Sequence, residues 1–253
     1  MKQLLILYGW GSNSLRWQKV KELLEEKGIE VLVLDLPGFG IEPSPKEVWG
    51  INEYVNWISQ KVKDYNPPTT LPPEGQAPKG WQKFNLLGHS FGGGLAVKMA
   101  AENPNLIGKL ILCAPAIVRR KKGVFKTKLF YWVAFLGKKI FSLPGLQKFQ
   151  AKSRWLIYKL AGTRDYYFAQ GIMKEIMKKI LKELNLPPLL EKIEIPTLII
   201  WGKKDNVLPI KDAYLIKEKI KNSKLKIIPK ARHSLHREAP EELAEAIIQF
   251  LKY

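Results

Sequence analysis

The chain has 253 residues, 46% of them apolar, and a formal net charge of +19. Length and apolar fraction together support a sizeable folded core and exclude a disordered chain. Its one cysteine, Cys113, excludes an intrachain disulfide and reads as a small buried hydrophobe in a reducing compartment.

Residues 3–8 form a continuous apolar run, the pattern of a strand covered on both faces. The run starts too early to leave room for the charged, apolar and small-residue regions of a signal peptide, so a cytoplasmic location is expected. Gly9-Trp10-Gly11 makes a turn, and Ser14 is placed to cap a helix over 15–27 that Gly28 ends. A second buried strand is expected at 29–34, followed by the loop Asp35-Leu-Pro-Gly-Phe-Gly40. An amphipathic helix follows over 45–64, then a Pro-rich surface excursion to residue 80. Strands at 84–87 and 109–113 flank a helix over 95–101.

At Pro115 the pattern changes. Residues 116–192 carry 18 Lys and Arg against four acids, with aromatics from Phe125 to Phe168. The longest apolar stretch there, 129–137, is too short to span a bilayer. Strand and helix alternation resumes at 197–201, with helices at 210–220 and 241–251 and a strand at 225–228. Alternation of this kind implies an α/β fold: a mostly parallel sheet of about six strands with helices on both faces. The expected domain division is a core of 1–115 and 191–253, with 116–190 as an inserted helical cap. In such sheets the functional residues collect at the C-terminal strand ends.

Three of those ends carry chemistry. Gly88-His89-Ser90-Phe91-Gly92 sits between a strand and a helix, the context of a nucleophile elbow. Gly88 and Gly92 are required because side chains there would collide with the neighbouring strand and helix. The Phe91 amide lies at a helix N-terminus, where N–H groups are unpaired and negative charge is favoured. Gly9 and Gly11 either let the Trp10 amide approach a bound oxyanion or only shape a tight turn; the first is favoured. Asp205 follows the strand at 197–201 and can orient a histidine. Asp35 precedes the elbow and opens a Pro-Gly turn, so it reads as structural. Of the three histidines, His89 lies inside the elbow and reads as packing. His233 is nearer the last strand end than His236 and is the candidate base. The chain order Ser90, Asp205, His233 is the one that accompanies this elbow.

These motifs resemble those of the α/β-hydrolase superfamily over nearly the whole chain outside 116–190. Leu7-Tyr-Gly-Trp-Gly is similar to the family's His-Gly-x-Gly oxyanion motif, with Tyr8 in the usual histidine position. The resemblance implies a sheet lacking the family's first two strands and an acyl-enzyme mechanism needing no metal or cofactor. It implies a serine hydrolase acting on a small carboxylic ester. C–C bond hydrolase, thioesterase and acyltransferase activity share the same triad, and a non-catalytic binding role on the same fold is the further alternative. The aromatic cap suggests an apolar group on the substrate. No recognised nucleic-acid motif accompanies the basic charge. An anionic membrane surface is a weaker reading of that charge than solvated lysine faces, and the oligomeric state is open.

Overall fold

Each of the six apolar runs becomes a strand in the computed structural model, which describes residues 2–65, 83–118 and 169–252. They are β1 (Lys2–Leu7), β2 (Ile29–Val33), β3 (Phe84–His89), β4 (Ile107–Cys113), β5 (Thr197–Gly202) and β6 (Ser223–Ile228). All pair in parallel, in the order β2-β1-β3-β4-β5-β6. Val33, Ile6, Leu87, Ile111, Leu198 and Lys224 lie side by side in one row across the sheet. The chain steps outward from β1 to β2, then returns past β1 to β3. A crevice therefore opens between the C-terminal ends of β1 and β3, where ligands bind in sheets of this kind.

Burial explains why these runs are continuous rather than alternating. Leu4, Leu5, Ile6 and Leu7 are consecutive and all buried, as are Leu110, Ile111, Leu112 and Cys113. Both faces of these strands are covered by helices, so both side-chain parities must be apolar. Helix α1 (Gln18–Glu25) packs on the C-terminal helix (Pro240–Lys252), while α2 (Ile51–Tyr65) packs on α3 (Phe91–Glu102). The edge strand β6 differs: its residues alternate between half-buried and exposed, with Lys224 and Lys226 exposed.

Two helix starts depart from the sequence expectation. The first helical segment opens as a 3₁₀ turn, Ser14–Trp17, capped by the Asn13 side chain, which accepts from the Arg16 N–H. Ser14 does not cap it; its hydroxyl donates to Asp35 instead. Helix α2 begins at Ile51 rather than near residue 45. Its first N–H groups are met by carboxylates: Gly50 N–H donates to Glu53 at 2.7 Å and Ile51 N–H to Glu183 at 2.7 Å. Negative charge at a helix N-terminus is favourable, and one of these partners lies 132 residues away.

Within the expected insertion, residues 119–168 and their aromatics lie outside the described residues, as does the Pro-rich stretch after residue 65. The described remainder contains α4 (Gly171–Glu183) and the short α5 (Pro187–Leu190). Its two ends meet: Val118 and Asn185 form an antiparallel bridge, and Leu186 N–H donates to Ile117 O at 3.0 Å. Ile176, Ile180, Leu184, Leu186 and Leu190 join the main core. Among the described residues, no helix is long and apolar enough to cross a membrane.

Candidate active site

Ser90 sits at the sharp turn between β3 and α3, with φ 51° and ψ −117°. That conformation is unfavourable for any residue with a Cβ, and the surroundings hold it in place. Ser90 N–H donates to Cys113 O at 3.2 Å, Ala116 N–H donates to Ser90 O at 2.8 Å, and Gly92 N–H donates to Tyr8 O at 3.0 Å. The elbow is thereby tied to the ends of both β4 and β1. Its glycines are sterically required. A Cβ on Gly92 would lie 2.2 Å from Leu7 O, and one on Gly88 would lie 2.6 Å from the Gly92 carbonyl oxygen.

The turn after β1 faces this elbow. A Cβ on Gly9 would approach Ser90 Cβ to 3.0 Å, and Gly11 has φ +70°. Trp10 and Phe91 fix the two turns against each other through their rings, which meet edge-to-face at 5.4 Å; Phe39 closes on Trp10 at 4.8 Å. Their backbone groups behave differently from their rings. Among the described residues, neither the Trp10 nor the Phe91 N–H finds an acceptor.

Behind the turn, Tyr8 occupies the position of the usual histidine. Its hydroxyl donates to Asp35 Oδ1 at 2.8 Å and accepts from Leu36 N–H. Burial, and then the hydrogen bond to Asp35, push the phenol well above its ordinary pKa, so it stays a neutral donor. Asp35 also accepts from Ser14 N–H at 2.7 Å, Ser14 Oγ at 3.1 Å and Ile41 N–H at 3.2 Å. These bonds spend the carboxylate on holding loops together.

Asp205 and His233 arrive from the loops after β5 and β6. The Asp205 side chain is fully buried. Its Oδ1 accepts from Val207 N–H at 2.8 Å and Leu208 N–H at 2.9 Å. Its Oδ2 lies 2.8 Å from His233 Nδ1. The other ring nitrogen of His233, Nε2, lies 3.0 Å from Ser90 Oγ. With Asp205 ionised, Nδ1 carries the proton and donates, leaving Nε2 as the acceptor for the serine hydroxyl. The three candidates, with His233 lying 28 residues from Asp205 and 143 from Ser90 in sequence, thus form one hydrogen-bonded chain.

The other two histidines pack behind this chain. His89 is buried, and its Nε2 donates to His233 O at 2.9 Å. His236 is also buried and stacks on Trp17, with centroids 4.5 Å apart and planes 10° from parallel. Burial drives both imidazoles below their ordinary pKa, with the neighbouring charges adding to it; for His236 the value falls to about 4. The sign for stability follows. Between pH 6.5 and 4 the unfolded chain binds a proton at this position and the native state does not. The stabilisation is therefore complete above pH 6.5 and declines as pH falls, by roughly 1.4 kcal/mol per unit for one such group. We expect urea unfolding at pH 5 to give a stability about 2 kcal/mol below that at pH 7 from His236 alone. His236→Phe, which keeps the stack, should shrink that difference; an unchanged difference would exclude His236 as its source.

A cleft of about 1130 Å³ opens over Ser90 and His233. Gly9, Trp10, Phe39, Met173 and Asn206 line it, together with Arg16, Arg232, Arg237 and Glu238. The sequence does not single out the arginines, because Arg16 and Arg237 are distant in the chain and come to one cleft only in the fold, beside the stacked Trp17 and His236. Among the described residues, no group of three or more His, Cys, Asp or Glu side chains is placed to hold a metal ion.

Known proteins resemble this chain in sequence and in fold. The hydrolase YugF of Bacillus subtilis (strain 168), which is named as uncharacterized, is 26% identical over 98% of this chain and 89% of its own length. The monoacylglycerol lipase ABHD6 of Mus musculus is 25% identical, over 98% of this chain and 75% of its own length. The crystallised esterase EaEST of Exiguobacterium antarcticum superposes with a TM-score of 0.72 at 21% identity, covering 100% of this chain and 92% of the esterase, a likeness of fold. The model of the alpha/beta hydrolase fold matches residues 2–240. A six-stranded parallel sheet, a strained turn after β3 and a match of that extent place this chain in the alpha/beta hydrolase family.

Proposed function

We propose that the chain is a serine hydrolase that cleaves a small carboxylic ester. The observation that carries this reading is the continuous hydrogen-bonded chain Asp205–His233–Ser90, with links of 2.8 and 3.0 Å. The esterase and lipase names among its relatives support ester chemistry at a general level.

Ser90 Oγ attacks the acyl carbon while His233 Nε2 takes its proton. The C–O bond to the alcohol then breaks, and His233 returns the proton to the departing oxygen. Water, activated by the same imidazole, resolves the acyl-enzyme and releases the acid. Asp205, fixed by two backbone N–H groups, keeps His233 in the tautomer with Nδ1 protonated and stabilises the imidazolium. The N–H groups of Trp10 and Phe91, which find no acceptor among the described residues, serve as oxyanion donors, each worth about 3 kcal/mol in comparable sites. Gly88, Gly92, Gly9 and Gly11 support the two turns. In this reading residues 1–115 and 191–253 form the catalytic core, and 116–190 form a cap that selects the substrate's apolar group.

A fluorophosphonate probe with p-nitrophenyl esters of increasing acyl length tests the proposal. Covalent labelling of Ser90 is expected, together with turnover of short esters. An unlabelled serine and no turnover across the series would refute it.

A further inference from the structure

The cleft wall beside His233 carries three arginines and one acid, Glu238. That acid is already committed. Its Oε2 accepts from the Arg232 N–H at 2.7 Å and lies 3.3 Å from Arg232 Nε. Arg16 and Arg237 are different. Both line the cleft, and among the described residues neither guanidinium has a carboxylate or any hydrogen-bonding partner.

The two short helical segments that carry them meet through a rigid ring stack. Arg16 precedes Trp17 and Arg237 follows His236, and those two rings stack at 4.5 Å. The Trp17 and His236 side chains are buried, so the stack does not swing. Besides burial, the charges of Arg237 and of Arg16 both push the His236 imidazole below its ordinary pKa. Two like charges at one rim, with no counterion among the described residues, repel each other. The molecule tolerates that cost here although the two helical turns, Ser14–Trp17 and Leu235–Glu238, could have carried neutral side chains at these positions. An anion entering the cleft removes the repulsion and gains charge-assisted hydrogen bonds from two planar forks. The net charge of +19 draws anions toward the cleft from a distance.

We propose that Arg16 and Arg237 form an anion-binding subsite of the cleft, and that the substrate is an ester bearing a carboxylate or phosphate group besides the bond that is cleaved. This rests on the hydrolase reading above, and the test separates the two.

Calorimetric titration with glutarate, and separately with inorganic phosphate, reads the subsite without any turnover. Binding of one of them by the wild type, weakened about tenfold or more in the Arg16→Gln/Arg237→Gln double variant, is expected; which anion binds tells carboxylate from phosphate. No binding of either, or equal binding by the variant, overturns the subsite. Turnover then reads selectivity. The kcat/KM ratio of mono-4-nitrophenyl glutarate to 4-nitrophenyl butyrate places the charge on the acyl side. The ratio of 4-acetoxybenzoate to its methyl ester places it on the alcohol side. At least one ratio should fall about tenfold in the double variant and should fall with added salt in the wild type. Ratios that match between wild type and variant overturn the substrate assignment. Loss of all turnover and of fluorophosphonate labelling in the wild type, with anion binding intact, would instead remove the hydrolase reading and leave the anion site standing.

Discussion

Ser90→Ala is expected to lower kcat for a p-nitrophenyl ester by roughly 10⁴-fold or more, with His233→Ala comparable and Asp205→Asn not far behind. The size follows from the arrangement. His233 Nε2 has one partner in the site, Ser90 Oγ at 3.0 Å, and Asp205 Oδ2 holds the opposite nitrogen at 2.8 Å. Residues that act as one unit are not additive. The double variant Ser90→Ala/His233→Ala should therefore be hardly slower than either single variant. Losses that multiplied would mean that the two groups act independently and would break the proposed triad. A second serine replacement separates chemistry from strain. Alanine keeps the Cβ that makes φ 51°, ψ −117° unfavourable, whereas glycine removes it. Ser90→Gly should be equally inactive yet unfold at higher denaturant than Ser90→Ala, by about 1 kcal/mol after the glycine's extra unfolded-state entropy.

Gly92→Ala should be the most damaging single-methyl change at the elbow, destabilising the protein by about 3 kcal/mol. The added carbon would lie 2.2 Å from Leu7 O and 2.4 Å from Leu7 C. These are backbone atoms at the end of β1, where Leu7 pairs with Gly88 of β3, so no rotamer change relieves the clash. Displacing them also breaks the Gly92 N–H bond to Tyr8 O and moves the Trp10 turn away from Ser90. Activity should therefore fall even in the fraction that remains folded. Gly11→Ala is the informative control. It meets nothing within 4 Å and pays only for φ +70°, a cost of roughly 1 kcal/mol. Equal melting temperatures for the two variants would show that the elbow yields and that the contact at Leu7 is unimportant.

Much of this was legible in the sequence for a physical reason. Strands buried on both faces leave continuous apolar runs and the edge strand β6 leaves an alternating one, and all six emerged within two residues of their expected ends. Gly88 is dictated by contacts with Gly92, Gly93 and Ala96 a few residues on, so it too is written locally, whereas Gly92 is required by Leu7 at the end of a distant strand. Asp205 and His233 could be placed because each follows a strand directly. What escaped depends on contacts distant in sequence. Helix α2 starts at Ile51 because Glu183 meets its N-terminus. Ser14 gave up the capping role to Asn13 because Asp35, 21 residues on, claimed its hydroxyl. His236 could be read as structural or surface, and it is Trp17 that buries it. The convergence of Arg16 and Arg237 beside that same stack has no local signature.

The lysines of β6 bear on how the molecule lives among copies of itself. An open sheet ends in strands whose outer N–H and C=O groups invite further strands. On β6, Lys224 and Lys226 are exposed and sit two residues apart, on one side of the pleat. A second chain adding along that border would have to strip water from both ammonium groups and crowd them against its own backbone. Among the described residues, the border of the sheet farthest from β2 is in this way guarded against fibril-like growth by charge.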